Sequence, residues 1–163
     1  MDMILDACSV INLLNGGLLQ KTVTLASTKF HIGEILLEQE ILDNVQKLKV
    51  NTLIANKDLH LLPSNILLSQ FITLKNKYGL GDGETECIAL CKNLNFTIST
   101  DDLKARKCAK DELGSQFVIG SLYLTRELVR SGKISCQEAL TAYKEMIRHG
   151  GFLPKVDAAY LCA

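Results

Sequence analysis

Short apolar runs alternate with stretches of helical periodicity along nearly the whole chain. Five of these runs, at residues 3–5, 29–32, 59–62, 96–100 and 117–119, have the length and composition of buried strands. Between them, apolar residues recur three and four positions apart, which is typical of one face of a helix. Because strands that alternate with helices require crossover connections, the pattern predicts a parallel sheet.

The predicted helices lie between and after these strands. Asp82 is a candidate N-cap for one of them, and Ser135 with Glu138 forms a capping-box signature for another. We therefore predict a single α/β domain over residues 1–163, with a parallel sheet flanked by helices in three layers. The predicted helices span residues 7–14, 33–45, 64–78, 82–94, 104–110, 122–129 and 135–147, and residues 153–161 form a short closing segment.

Composition and charge narrow the classes of function. Lys plus Arg and Asp plus Glu both number 18, so no strong overall field favours nucleic acid or membrane, and any polyanion site must be local. The chain has no run of about 18 uncharged apolar residues, and its acidic N-terminus is unlike a signal peptide. The six cysteines form no C-x-x-C pair, so we expect reduced, mostly buried thiols in a cytoplasmic protein.

Acidic residues follow two of the predicted strands and open one of the helices. Asp6 ends the first strand, Asp101 and Asp102 end the fourth, and Glu84 lies in the first turn of a helix. Because open parallel sheets bind ligands at the carboxyl ends of their strands, we expect these carboxylates to meet at one edge. Taken one at a time, each acid could instead simply cap or favour the N-terminus of a helix.

Crowded carboxylates repel one another and raise each other's pKa unless a cation offsets their charge. Oxygen ligands of this kind suit Mg²⁺ or Mn²⁺, which can activate water and stabilise charge on a phosphoryl oxygen. Phosphodiester hydrolysis is therefore the reaction that these acids favour. The chain has no P-loop and no G-x-S-x-G elbow, which argues against nucleotide-triphosphate and serine-hydrolase chemistry.

Four cations follow these acids within seven residues of the chain. They are Lys104, Arg106, Lys107 and Lys110, on the helix predicted directly after Asp102. A run of this kind is usually a solvated face of a helix, and the alternative is that it contacts phosphate groups.

Three strings in this order resemble PIN domains, the metal-dependent ribonuclease fold of VapC-type toxins and related nucleases. They are MILDACSVINLL near the N-terminus, LGDGETECIAL in the middle and ISTDDLKARKCA after it. The chain is most similar to a stand-alone branch whose members share LGxGExEAIALA and TDDxxAR strings. Its tail, FVIGSLYLTRELVRSGKIS, is similar to the same branch, so the resemblance covers nearly the whole chain.

The resemblance implies a role for each of the acids. Asp6, Glu84 and Asp102 match the metal-binding acids, and Glu38 matches a supporting acid on the second helix. Asp101 stands beside Asp102 as a second possibility for that position. Glu86 belongs to the same G-x-G-E-x-E string as Glu84 and could take its place, although two residues along a helix point about 200° apart. The residues that would steer the RNA backbone are Lys104, Arg106 and Lys107.

The resemblance also implies an activity and a set of partners. The expected activity is Mg²⁺- or Mn²⁺-dependent endoribonuclease cleavage of RNA, as in the toxin of a toxin–antitoxin pair. The alternative is an inactive PIN-like module that acts by protein–protein binding, with an antitoxin-like partner placing Arg or Lys among the acids. A homodimer is expected by resemblance, and a membrane partner is not. Cys8 stands where the family more often has Ser, Thr or Asn, and Glu84 where many toxin members carry Asp.

Overall fold

The computed structural model describes all residues, 1–163. Five strands and ten α-helices follow one another along the chain, with one short 3₁₀ helix at Ser115–Phe117. The strands are β1 (Asp2–Leu5), β2 (Lys29–Gly33), β3 (His60–Leu62), β4 (Thr97–Ser99) and β5 (Val118–Ile119). The helices are α1 (Ala7–Asn15), α2 (Leu19–Val23), α3 (Glu34–Gln39), α4 (Asn44–Ala55), α5 (Leu68–Tyr78), α6 (Asp82–Leu94), α7 (Leu103–Leu113), α8 (Ser121–Arg130), α9 (Cys136–Arg148) and α10 (Ala158–Cys162).

The five strands form one sheet in the order β3-β2-β1-β4-β5, and every neighbouring pair is parallel. This confirms the predicted parallel sheet, which the helices flank in a three-layer α/β/α arrangement. The central strand, β1, is paired with β4 so that Leu5 lies opposite Ser99. The carboxyl ends of β1 and β4 are therefore side by side in the middle of the sheet, where the chain turns into α1 and α7.

A continuous apolar core lies on both faces of the sheet. Met3, Ile4 and Leu5 of β1 and Ile98 of β4 are fully buried, as expected of central strands covered by helices on both sides. Apolar residues of the helices complete this core, among them Ile88, which is also fully buried. None of the helices combines the length and apolar character needed to cross a membrane.

The single helix predicted over residues 33–45 is wrong. The structure has α3 and α4 there, separated by residues 40–43, and the Asp43 side chain caps α4 by accepting a 2.8 Å hydrogen bond from the Gln46 N–H. An aspartate that bonds to the backbone in this way starts a new helix rather than continuing the old one. As a result, Leu42 and Val45 are exposed instead of facing the core.

The cysteines also differ from the prediction that all six are reduced thiols. Cys136 at the start of α9 and Cys162 at the end of α10 form a disulfide, with a Cα–Cα distance of 5.2 Å. The bond fastens the C-terminal segment to α9, and the Tyr143 hydroxyl supports it by donating a 3.0 Å hydrogen bond to the Pro154 carbonyl. Cys8 and the three buried cysteines, Cys87, Cys91 and Cys108, are free.

Candidate active site

Asp6 and the Thr100-Asp101-Asp102 string meet at the carboxyl edge of the sheet. The Asp6 N–H continues the pairing of β1 with β4 by donating a 2.9 Å hydrogen bond to the Ser99 carbonyl. Since both strands run in the same direction, the residues that follow each of them emerge together. The structure thus places acids that are about ninety positions apart in the sequence next to one another.

Asp6 is almost completely buried, with 1% of its surface exposed. Its carboxylate accepts hydrogen bonds from the Ala7 N–H at 2.8 Å and from the Thr100 hydroxyl at 2.7 Å. Burial, with a smaller effect from the negative charges of Glu40 and Glu84, nevertheless raises the pKa of Asp6 to about 7 against the opposing effect of the two hydrogen bonds. Because no nearby positive charge offsets these effects, Asp6 is protonated in much of the protein near neutral pH.

Glu84 and Glu40 reach the same region from two different helices. Glu84 lies in the first turn of α6, where its carboxylate accepts a 2.9 Å hydrogen bond from the Gly81 N–H. Glu40, at the end of α3, accepts a 3.0 Å hydrogen bond from the Gly83 N–H. Burial and the charge of Glu84 raise the pKa of Glu40. Glycine at position 83 leaves room for this hydrogen bond, because a Cβ atom there would overlap the Glu40 carboxylate and the Glu40 side chain would have to move.

Glu86 is fully buried on the opposite side of α6 from Glu84. Its carboxylate accepts hydrogen bonds from the N–H groups of Ile35 at 3.1 Å and Leu36 at 3.0 Å, at the N-terminus of α3, and from the Ser64 hydroxyl. These donors occupy both of its oxygens. Of the two acids in the G-x-G-E-x-E string, Glu84 lies near enough to Asp6 for its charge to raise the pKa of Asp6. Glu86 instead holds the N-terminus of α3 in place.

Asp101 and Asp102 are both half-buried at this edge, and they differ in how fully they are bonded. Asp101 accepts hydrogen bonds on both oxygens, from the Asn12 side chain at 2.8 Å and from the Ser121 N–H at 2.9 Å. Asp102 caps α7 through one oxygen, which accepts a 2.7 Å hydrogen bond from the Ala105 N–H. The second oxygen of Asp102 accepts none, so Asp102 has the freer carboxylate.

The Cys8 side chain lies among these acids. Burial raises the pKa of the Cys8 thiol to about 12, and the charges of Asp6, Asp102, Asp101 and Glu84 each add to the effect. A thiol that is surrounded by carboxylates stays protonated at neutral pH and is a poor nucleophile. Cys8 is therefore a neutral neighbour of the acids rather than a reactive group.

Glu38, the supporting acid that the resemblance implied, is exposed on α3 and makes no hydrogen bond or ion pair. Glu40, two positions further along the chain, lies near Asp6 and Glu84. The sequence carried one signal for Glu40, which is the glycine at position 83 that admits its carboxylate. Thr100 and Asn12, which hold Asp6 and Asp101, were also missed, because ordinary polar residues in these positions have no distinctive pattern.

The three cations expected to contact phosphate have different surroundings. Arg106 is half-buried, and its Nη1 atom donates 2.8 Å hydrogen bonds to the carbonyls of Thr100 and Ile119, so it ties together the ends of β4 and the strand beside it. Lys104 is exposed and donates to the Gly79 carbonyl, and Lys107 is exposed without a partner. Both ammonium groups are thus accessible to anions in solution, and Lys107 has no hydrogen bond to lose when it binds one.

The acids of this edge suit a divalent cation by their chemistry. All their donor atoms are carboxylate oxygens, which Mg²⁺ and Mn²⁺ prefer, and one oxygen each of Glu40, Glu84 and Asp102 accepts no hydrogen bond. None of these acids forms an ion pair with a Lys or Arg. No three His, Cys, Asp or Glu side chains form a ready-made metal site, so the carboxylates would have to turn toward a bound ion.

The fold is thus a five-stranded parallel sheet with acids at the carboxyl ends of its central strands. The family model described as DUF3368, a PIN domain, matches residues 2–158. The chain therefore belongs to the PIN domain family, which confirms the resemblance seen in its sequence strings. No curated protein and no solved structure matches the chain well enough to be compared with it.

Proposed function

We propose that this protein is an endoribonuclease that depends on Mg²⁺ or Mn²⁺ and hydrolyses phosphodiester bonds in RNA. The observation that carries the proposal is the group formed by Asp6, Glu40, Glu84 and Asp102, in which no Lys or Arg offsets the negative charge. Asp6, Glu84 and Asp102 would hold the metal ion. Glu40 would take the supporting role that the family resemblance gave to Glu38, and Asp101 would support the site from beside Asp102.

When bound, the metal ion would supply a Lewis acid for water and for the phosphoryl oxygen. The chain's own residues orient its ligands. The Thr100 hydroxyl and the Ala7 N–H fix the Asp6 carboxylate, and the Gly83 N–H fixes that of Glu40. The exposed side chains of Lys104 and Lys107 would attract the RNA backbone toward this edge, since phosphate contacts of lysine are favourable and independent of sequence.

Calorimetry with Mn²⁺ and a cleavage assay together test this proposal. We expect the wild-type protein to bind Mn²⁺ and to cleave RNA only when the ion is present. Asp6→Asn should weaken Mn²⁺ binding and lower the cleavage rate by on the order of 10²- to 10³-fold. The protein should stay folded, because an asparagine side chain can still accept the hydrogen bond that caps α1. Metal-dependent cleavage by Asp6→Asn at the wild-type rate would contradict the proposal.

The matched control for Asp6→Asn is Glu38→Gln. Glu38 is exposed on α3 and makes no polar contact, so removing its charge should leave Mn²⁺ binding and cleavage at wild-type levels. The same cleavage assay with single-stranded DNA of the same sequence separates a ribonuclease from a deoxyribonuclease.

The helix caps favour a second candidate, a protein-binding module without catalysis. Asp6, Asp102 and Glu84 each accept a hydrogen bond from backbone at the start of a helix, so each has a structural role already. An antitoxin-like partner could place an Arg or Lys among these acids. A protein that binds no Mn²⁺, and is stabilised by an Arg-containing partner, would support this second candidate.

The proposal includes three features that are carried over from the family resemblance: a cytoplasmic location, a toxin role and a homodimer. In the cytoplasm, disulfides are rare and usually transient. The Cys136–Cys162 disulfide is therefore the one observation that argues against this location. Sedimentation of the protein measures the oligomeric state.

A further inference from the structure

A cavity of about 570 Å³ lies next to the acidic edge of the sheet. Its volume falls in the range of pockets that hold small organic ligands. Its walls come from α7, β5, α8 and the C-terminal segment, and most of its lining is apolar or aromatic. The aromatic residues of the lining are Tyr123, Phe152 and Tyr160, and its polar side chains are Asp101 and Arg106.

Two unusually exposed apolar side chains line this same cavity. Phe152 is 93% exposed and Leu103 is 80% exposed, which are the highest values among the large hydrophobic residues of the chain. Exposed apolar groups that gather at one concave place usually mark a binding site. Phe152 thus presents an aromatic ring to solution with almost no contact to the rest of the protein.

Two of the aromatic residues that line the cavity belong to a stack of side chains. The Arg126 guanidinium lies 5.7 Å from the ring centroid of Tyr123 and 5.1 Å from that of Tyr160, which are cation–π distances. The stack joins α8 to α10. Because both tyrosines are fixed in this way, the part of the aromatic wall that they form exists before any ligand arrives, whereas Phe152 lies outside the stack.

The cavity lies beside the candidate active site. A second cavity of about 190 Å³ is lined by Cys8, Asp101 and Asp102, and Asp101 and Phe152 line both cavities. A nucleic acid strand with one phosphate at the acids would therefore have its neighbouring base beside Phe152. Arg106 adds polar atoms there, since only its Nη1 atom is engaged in hydrogen bonds.

We propose that the cavity lined by Phe152 and Leu103 binds one nucleobase of single-stranded RNA, next to the phosphodiester at the acidic edge. The base stacks on the Phe152 ring, and the free nitrogens of Arg106 donate hydrogen bonds to its edge. The inference rests on the proposed function, and it specifies that the substrate is single-stranded at this position. Aromatic rings accept any base in this way, so the subsite favours unpaired RNA more than a particular sequence.

Fluorescence of a Phe152→Trp variant tests the subsite directly, because the chain contains no other Trp. The probe is a single-stranded RNA of about 8 nucleotides, titrated with Ca²⁺ in place of Mn²⁺, so that a cation offsets the acids while the poorly matched ion suppresses cleavage. We expect the RNA to quench the Trp emission. The same strand with abasic positions at its centre should bind at least about fivefold more weakly, which is the smallest loss expected when one stacked base is removed.

Binding measurements on the otherwise unchanged chain complete the test. Phe152→Ala should weaken RNA binding at least about fivefold and Phe152→Tyr should restore it, since both the Phe and Tyr rings stack with a base. Leu67→Ala is the matched control, because Leu67 is 73% exposed but lines neither cavity. Phe152 is so exposed that its removal should leave the thermal unfolding midpoint unchanged.

Each other outcome overturns the subsite. Equal affinity for the abasic strand, no RNA binding at all, or quenching by an apolar peptide but not by RNA would each do so, and the last would assign the cavity to a protein partner. Failure of the proposed function is a separate result. Base-dependent quenching without cleavage would support the subsite and contradict the nuclease. Cleavage that is unchanged in Phe152→Ala would support the nuclease and contradict the subsite.

Discussion

Two clusters of charged groups in this protein shift the pKa values of their carboxylates in opposite directions. Glu112, on α7, accepts hydrogen bonds from Lys77 at 2.7 Å, Lys92 at 2.6 Å and the Tyr78 hydroxyl at 2.7 Å. Hydrogen bonds and attraction from these lysines lower the pKa of Glu112 to about 2. At the sheet edge, Asp6 has no Lys or Arg partner, and burial with two neighbouring acids raises its pKa to about 7.

The difference separates a structural cluster from the candidate active site. The Glu112 cluster joins α5, α6 and α7 and carries its own cations, so it is complete without a ligand. The acids at the sheet edge are short of positive charge in the folded chain itself. Such an arrangement costs stability, and it is expected where a site receives a cation from solution.

The largest expected effect is on how stability depends on pH. The folded protein binds the Asp6 proton up to about pH 7, whereas the unfolded chain releases it near the ordinary value of 3.8. Asp6 therefore contributes up to about 4 kcal/mol to the free energy of unfolding below about pH 4. This contribution is lost as the pH rises to about 7. Denaturant unfolding of wild type and Asp6→Asn, without metal, measures it.

Asp6→Asn should flatten this part of the pH profile, because asparagine does not titrate. The variant should be more stable than the wild type at pH 8 and about equal to it at pH 4. If the stability of the wild type and that of Asp6→Asn changed in parallel between pH 4 and pH 7, Asp6 would ionise normally, and the contrast with Glu112 would be lost.

The second effect is on catalysis. Asp6→Asn should lower kcat on RNA by on the order of 10²- to 10³-fold, or about 3 to 4 kcal/mol, as the loss of one essential electrostatic group does in other enzymes. The matching change in the other cluster, Glu112→Gln, should leave kcat unchanged, since Glu112 binds only lysines and a tyrosine. Equal losses in the two variants would mean that both act through folding alone.

Much of the frame of the site could be predicted from the sequence. Apolar runs located the strands, and the rule that parallel strands end at the same edge brought Asp6 beside Asp101 and Asp102. These features depend on local pattern and on topology. Residues 40–43 could not be predicted in this way, because the apolar spacing continues across them while the Asp43 side chain starts a new helix.

The partners of individual carboxylates were also beyond the sequence. Glu38 and Glu40 are two positions apart, and only the packing of α3 against α6 decides that Glu40 meets the Gly83 N–H. Glu84 and Glu86 are likewise two positions apart on α6, and only tertiary packing decides that Glu86 accepts hydrogen bonds from the N-terminus of α3. The Cys136–Cys162 disulfide joins residues 26 apart, and no local spacing marks such a pair.

A third and smaller effect distinguishes Glu40 from Glu38. Glu40→Gln should reduce cleavage or Mn²⁺ affinity by about 10- to 100-fold, as is typical of groups that orient metal ligands, because Glu40 adds negative charge beside Asp6. Glu38→Gln changes the same charge on the same helix and should have no effect. If Glu38→Gln proved the more damaging of the two, the acid implied by the family resemblance would replace Glu40 in the proposed site.

The smallest effect concerns the self-contained cluster. The lowered pKa of Glu112 means that its contribution to stability is present above the ordinary value of 4.5 and is lost as the pH falls toward about 2. Lys77 and Lys92 are about half exposed, so solvent screens the pairs and we expect about 1 kcal/mol for Glu112→Gln at pH 7, decreasing with added salt. Mn²⁺ should raise the unfolding midpoint of this variant as much as that of the wild type, because the cluster already contains its cations. A midpoint that no longer responds to Mn²⁺ in Glu112→Gln would place the metal-dependent stabilisation in this cluster rather than at the sheet edge.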